Sequence, residues 1–152
     1  MTRIASGVIA LVVLLAGALL WVAQMGPTGP LGFDNPRARL TPGDGPMAGY
    51  VTIRNYSDRE LLLVGARSAQ FGQIMLHRSV LRDGQARMEH QDRVPIAPGQ
   101  AVEFRPGDLH LMLMRRQKEL NVGDPVEIIF EFEGIEPREW TVGFTVVPVT
   151  AQ

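Results

Sequence analysis

The sequence contains no cysteine. That absence removes disulfides, thiolate metal sites, thiol nucleophiles and the thiolate ligand of a blue-copper centre together. An excess of one charge is also missing, with 15 Lys and Arg against 16 Asp and Glu and a net charge of −1. Such a balance builds neither a nucleic-acid footprint nor a polybasic membrane patch, so no nucleic-acid partner is expected. Outside the N-terminus no long stretch repeats with the 3.6-residue period of an amphipathic helix, which argues against an α-helical domain.

What the chain does have is methionine, seven copies against three histidines, and one long apolar run. Residues Ile4 to Ala23 carry no charge and follow Arg3. Twenty helical residues span about 30 Å, the thickness of a bilayer's hydrocarbon core. Residues 1–23 therefore read as a transmembrane anchor or signal helix. The anchor is preferred, with Arg3 on the cytoplasmic side and Trp21 at the outer interface. A cleaved export signal is the alternative, with Ala16-Gly17-Ala18 as its cleavage site. It leaves a mature chain opening on Leu19, Leu20 and Trp21, an awkward soluble terminus. Both readings place the remainder on the periplasmic, extracytoplasmic face, anchored to the inner membrane or exported.

Residues 24–46 are rich in Gly and Pro, including Gly26-Pro27, Gly29-Pro30, Pro42-Gly43 and Gly45-Pro46. Regular structure is not expected there. The segment reads as a connector whose far end, around Phe33 and Leu40, is a candidate edge segment. From Met47 the pattern becomes short β-type runs: Tyr50 to Asn55, Leu61 to Val64, Ile74 to Val80, Ala86 to His90, Ala101 to Phe104, His110 to Met114, Val126 to Phe132 and Trp140 to Val147. Asp83-Gly84, Pro98-Gly99, Pro106-Gly107 and Gly123-Asp124-Pro125 punctuate them. Strands spaced about every ten residues predict an all-β domain over 47–150, an antiparallel β-sandwich or Greek-key barrel. Phe130, Phe132, Val142, Phe144 and Val146 are its candidate core, with Glu127 turned outward by the pleat.

His110, Met112 and Met114 occupy alternate positions of one run and so share a strand face, while Leu109, Leu111 and Leu113 take the other. With the leucines as core, His110 and Met112 are expected side by side on a surface. The same alternation recurs at Met75 and His77 and at Met88 and His90. Thioether and imidazole together suit copper(I), and a thioether needs no deprotonation before it binds. Zinc sites are built instead from Cys, His and carboxylates. The bland alternatives are a core methionine at Met112 and solvated histidines at His77, His90 and His110.

His77, ten residues, Met88, twenty-one residues, His110, one residue, Met112 reproduces the spacing of periplasmic copper chaperones of the PCuAC type. Flanking likenesses are Tyr50 to Asn55, Pro95 to Gly99, Arg105-Pro106-Gly107-Asp108 and Leu120 to Asp124. The similarity covers roughly Met47 to Pro148. The resemblance implies a cupredoxin-like fold, one Cu(I) on His77, Met88, His110 and Met112, and no enzymatic activity. It also implies delivery toward cytochrome oxidase, whose copper-site subunit and a Sco-type thiol protein become the expected partners. Met75 and Met114 are then packing or neighbouring residues, and His90 lies outside the motif. The chain lacks the His/Met-rich C-terminal tail of some relatives, so a second, Cu(II)-type site is not expected. Copper storage or detoxification, and a metal-free interaction module, are the competing readings. An electron-transfer centre is disfavoured by the missing cysteine.

Overall fold

The structure, a computed structural model, describes residues 29–151. The anchor or signal segment expected over 1–23 lies outside the described residues, as does the first part of the connector. Among the described residues no helix is long and apolar enough to cross a membrane.

The described chain is all strand and turn. Ten strands follow one another: β1 Leu31–Arg39, β2 Met47–Asn55, β3 Leu61–Arg67, β4 Phe71–Arg82, β5 Gln85–His90, β6 Val94–Ile96, β7 Ala101–Phe104, β8 Leu109–Arg116, β9 Pro125–Glu133 and β10 Glu139–Val147. Hydrogen bonds join them in the order β5-β4-β8-β2-β1-β10-β9-β3-β6, with β7 also paired to β2. Phe71 and Leu76 of β4, one strand in from one end of this path, and Val94 and Ile96 of β6 at the other belong to one apolar cluster, so the sheet wraps around its own inner face. That is how an all-β chain hides its apolar side without a helix.

The alternation read in β9 and β10 is the alternation observed. Val126, Ile128, Phe130 and Phe132 are buried while Glu127 and Glu131 are exposed. Val142, Phe144 and Val146 complete the same wall from β10. Full burial of one such side chain contributes about 1.5–3 kcal/mol relative to exposure. Phe33 stacks on Phe130 at 5.6 Å between ring centroids and fastens β1 to this wall.

Residues 31–39, read as part of the connector, form β1, which lies inside the sheet rather than at its edge. β1 pairs antiparallel with β2 and, through Arg37 to Arg39, parallel with β10. The pairing with β2 shifts register between Asp34 and Arg37. Local composition hid this strand because its neighbours, not its own pattern, satisfy its backbone. The parallel pair also departs from the wholly antiparallel sandwich expected. β6 is a further strand absent from the sequence reading, only three residues long and paired with β3.

One buried polar group stands beside this core. Asn55 is 1% exposed, and its Nδ2 donates to the carbonyls of Arg59 and Ile96 at 2.7 and 2.9 Å. Its Oδ1 accepts from the Ser57 amide at 2.9 Å. A buried amide satisfied this way clamps the 56–60 turn and β6 together at no desolvation loss.

Candidate metal centre

Strands β5, β4 and β8 are consecutive in the sheet, and they carry all four residues singled out by the spacing. In an antiparallel pair, residues directly opposite one another project from the same face. His77 of β4 lies opposite His110 of β8, and Met75 lies opposite Met112. On the other flank His77 lies opposite His90 of β5, and Ser79 lies opposite Met88. One face of three neighbouring strands thus presents His77, Met75, His110, Met112, Met88 and His90.

Local chemistry sets both registers. Asp83 and Gly84 both have positive φ, 52° and 74°, and form the two-residue turn that matches the twist of a hairpin. Arg82 and Gln85 close it, which places His77 and His90 at equal distances from the turn and therefore opposite each other. Before β8, Pro106-Gly107 turns the chain, with Gly107 at φ 80° and the Asp108 amide donating to the Arg105 carbonyl. Proline followed by a positive-φ glycine is the type II pattern. The close approach of β2 to β8 uses Gly49, where a Cβ would come within 3.1 Å of the Leu111 side chain.

His110 is held firmly. It is 7% exposed, and its Nδ1 lies 2.9 Å from the Asp108 carbonyl oxygen. Nδ1–H donating to that carbonyl leaves the Nε2 lone pair free, the arrangement a metal-binding imidazole requires. The same carbonyl accepts from the Ser79 amide at 3.2 Å, so the turn, β4 and the imidazole are tied at one atom. The Asp108 carboxylate instead faces Arg78 and Arg105, each at 3.4 Å and all partly exposed. Such ion pairs add little stability.

His110 was expected on a surface beside Met112. It is buried, and Met112 is half-buried. β8 is an interior strand with β4 on one side and β2 on the other, so even its non-leucine face is crowded by neighbours. Leu109, Leu111 and Leu113 form the opposite, core face as anticipated, each at most 1% exposed.

His77 is the centre of the row. Its ring centroid lies 6.1 Å from that of His110 and 5.7 Å from that of His90, nearly perpendicular to both. Two imidazoles gripping one ion at about 2.0–2.1 Å per nitrogen place their centroids roughly 5–6.4 Å apart, a window that contains both separations. The Nδ1 atom of His77 is buried and has no hydrogen-bond partner. A buried nitrogen without a partner costs free energy unless something else occupies its lone pair. Burial first, then the facing His110 and His90, hold the His77 pKa below its ordinary 6.5, keeping the ring neutral.

The four spacing residues are not all gathered at one point. His77, His110 and Met112 are immediate neighbours across β4 and β8, whereas Met88 lies on the far side of His77 and is 62% exposed. Met75 sits directly across from Met112, and Met114 across from Gln73. Among the described residues no three His, Asp or Glu side chains converge on one metal position. His90, read as a solvated histidine outside the motif, is exposed, and the Asp83-Gly84 turn places it opposite His77.

The LpqE-like family profile, described as "Putative lipoprotein LpqE-like", matches residues 31–146. "Uncharacterized protein RP573" of Rickettsia prowazekii is 32% identical over 85 residues, 55% of this chain and 47% of that one. "Putative lipoprotein Lxx21020" of Leifsonia xyli is 28% identical over 91 residues, 59% of this chain and 55% of that one. The chain thus spans about half the length of the curated relatives it matches. Among solved structures, the copper-bound PCuAC domain from PmoF2 superposes with a TM-score of 0.66 at 24% identity, covering 81% of this chain and 97% of that one. The solution structure of CuI-DR1885 from Deinococcus radiodurans superposes with a TM-score of 0.55 at 27% identity, covering 82% and 81%. The resemblance read from the His and Met spacing is borne out at the level of fold and family. The matched span runs from the first residue of β1 to the last but one of β10, and on that ground the chain belongs to the LpqE-like family and has the fold of PCuAC domains.

Proposed function

We propose that the chain is a copper(I) carrier of the cell envelope, taking one Cu(I) on His77, Met88, His110 and Met112. The observation that carries this reading is the buried, unpartnered Nδ1 of His77, in a ring 6.1 Å from an imidazole already oriented by the Asp108 carbonyl. Met112 and Met75 supply thioethers one row away, and Met88 supplies another from the outer flank of His77. Two neutral imidazoles and soft sulfurs, with no carboxylate among them, favour Cu(I) over harder divalent ions. The relatives support the same reading, since the two superposed domains, from PmoF2 and DR1885, are copper-bound.

A carrier must also release its ion. The partly open edge formed by β5 suits ligand exchange with an acceptor. Delivery toward cytochrome oxidase, through its copper-site subunit and a Sco-type thiol protein, is the destination proposed on the resemblance. The lipoprotein names within the family support an exported, envelope-associated protein, with 1–23 as its anchor or signal.

Titration with Cu(I) against a competing chelator tests the proposal, and X-ray absorption on the loaded protein counts its sulfur and nitrogen neighbours. One equivalent bound by mixed nitrogen and sulfur is expected. No stoichiometric uptake, or uptake indifferent to His110→Ala and Met112→Leu, would favour a metal-free interaction module. Growth of a deletion strain under copper limitation and under copper excess separates delivery from storage or detoxification.

A further inference from the structure

His77 has two imidazole neighbours, and only one of them belongs to the carrier site. His110 sits on an interior strand and is buried, His77 is half-buried, and His90 is exposed on β5, the end strand of the sheet path. Exposure therefore rises along a single row of three rings, each about one strand spacing from the next. His90 and His110 flank His77 from opposite sides, on strands about two spacings or 10 Å apart. Met88, on the same outer strand as His90, reaches inward by its longer, flexible thioether arm. His90 is instead paired to the Asp92 carboxylate, so its ring and that of His110 do not close on one ion. This agrees with the lack of any three-residue cluster among the described residues. The second imidazole is thus not a surplus member of the inner site. It is a separate position that His77 can also reach, 5.7 Å away against 6.1 Å.

The chemistry around His90 fits a ligand. Its Nε2 lies 3.3 Å from the Asp92 carboxylate, and with Nε2–H donating there, Nδ1 keeps its lone pair. Met88, two residues before it on the same strand face, places a thioether on the same side of His77. On that face Ser79, Leu81 and Ala86 are the remaining hairpin residues, so the hairpin itself adds no charged side chain there and the charge beside the position is the Asp92 carboxylate paired with His90.

We propose that His90, with Met88 and His77, forms an outer copper position at the sheet edge, through which the ion leaves the inner position on its way to an acceptor. The inference rests on the carrier reading and names the exit of that same site. In the outward step the Cu–N bond to His110 and the Cu–S bond to Met112 break, a Cu–N bond to His90 forms, and the bonds to His77 and Met88 persist. Copper remains Cu(I) throughout, and no electron or proton moves. His77 acts as the pivot, so the ion is never without an imidazole while it crosses the row.

The test compares equilibrium affinity with transfer rate on the same full-length protein. Cu(I)-loaded wild type, His90→Ala and His90→Met are mixed in a stopped-flow instrument with bathocuproine disulfonate, a bulky chelator that reaches only exposed copper. Cu(I) dissociation constants are measured separately by competition. His90→Ala is expected to slow transfer about tenfold or more, a change of about 1.4 kcal/mol in the barrier. Its dissociation constant stays within a few-fold of wild type, because His90 does not hold the ion at rest. His90→Met, which restores a soft ligand, should recover most of the rate. An unchanged rate in His90→Ala, or rate and affinity falling together, would overturn the outer position while leaving the carrier reading intact. Failure of the wild type to take up Cu(I) overturns the carrier reading itself, and the outer position with it.

Discussion

Two stretches of the sheet, one toward each end of the strand order, are made of different material. Strands β9 and β10 face the core with Val, Ile and Phe, contain no methionine, and fill most of their outward positions with Glu and Thr. Strands β4, β5 and β8 hold Met75, Met88, Met112 and Met114 together with all three histidines of the chain. At the first end, side chains are chosen for shape and area. At the second, polarizable sulfur and neutral imidazole gather on one face, while leucines of β8 do the packing on the other. The comparison teaches that the packing residues and the soft donor side chains are separated by face and by strand, so on the proposed function each should be alterable with little effect on the other.

The sharpest way to break that separation is to attack the packing end. Phe132→Ala should lower unfolding free energy by about 3–5 kcal/mol, read from urea denaturation. The fraction that remains folded should still bind one Cu(I) with wild-type affinity. A parallel loss of affinity per folded molecule would show that the two ends are coupled.

The converse change is Met112→Leu, which keeps volume and removes the thioether. Stability should move by less than about 1.5 kcal/mol, as volume-conserving exchanges do. Cu(I) affinity should fall by about a hundredfold, at or above the effect of removing a residue that only supports a ligand. If affinity holds and stability falls instead, Met112 is packing and the face is not a copper face.

Acidification probes the same face more gently. Imidazoles bind metal only when neutral, so Cu(I) affinity should weaken between pH 7 and pH 5, approaching about tenfold per pH unit for each ligand protonated. Because the His77 pKa is lowered, its own competition with protons begins below the ordinary 6.5. The same shift has a sign for folding. The unfolded chain takes up a proton before the folded one does, so apo stability falls as pH drops from about 6.5 through the lower folded value. An affinity flat from pH 7 to pH 5 would remove the imidazoles from the site.

The smallest effect is expected at the hairpin tip. Leu81 is 76% exposed beside the Asp83-Gly84 turn, and Leu81→Ser should change unfolding free energy by no more than about 0.5 kcal/mol. Copper affinity should be unchanged as well. A larger loss of stability would mean that the hairpin packs against something outside the described chain.

Much of the fold was legible because a pleated strand with one buried face writes its pattern directly into sequence. Val126 to Phe132 shows the alternation plainly and the structure places it as read, while in Leu109 to Leu113 the leucines lie in the core as read but His110, read as surface, is buried. β1 was not legible. Its Gly, Pro and Arg residues look like a connector, and only pairing with both β2 and β10 makes it a strand. β6 was lost for a related reason, since three residues carry too little periodicity to register. On the face that carries the soft donors, the spacing singled out His77, Met88, His110 and Met112 but said nothing about their separations.

By itself the sequence determined which residues alternate, where the hairpin turns, and that the soft donors fall on a few neighbouring runs, because these depend on local backbone geometry. The order of strands in the sheet was decided only by tertiary structure, since pairing between distant segments is a competition among many partners that no single segment encodes. That order makes β8 an interior strand and β5 an outer one. It thereby buries His110, exposes His90 and leaves His77 between them, and the graded exposure of the three rings is a property of the assembled sheet alone.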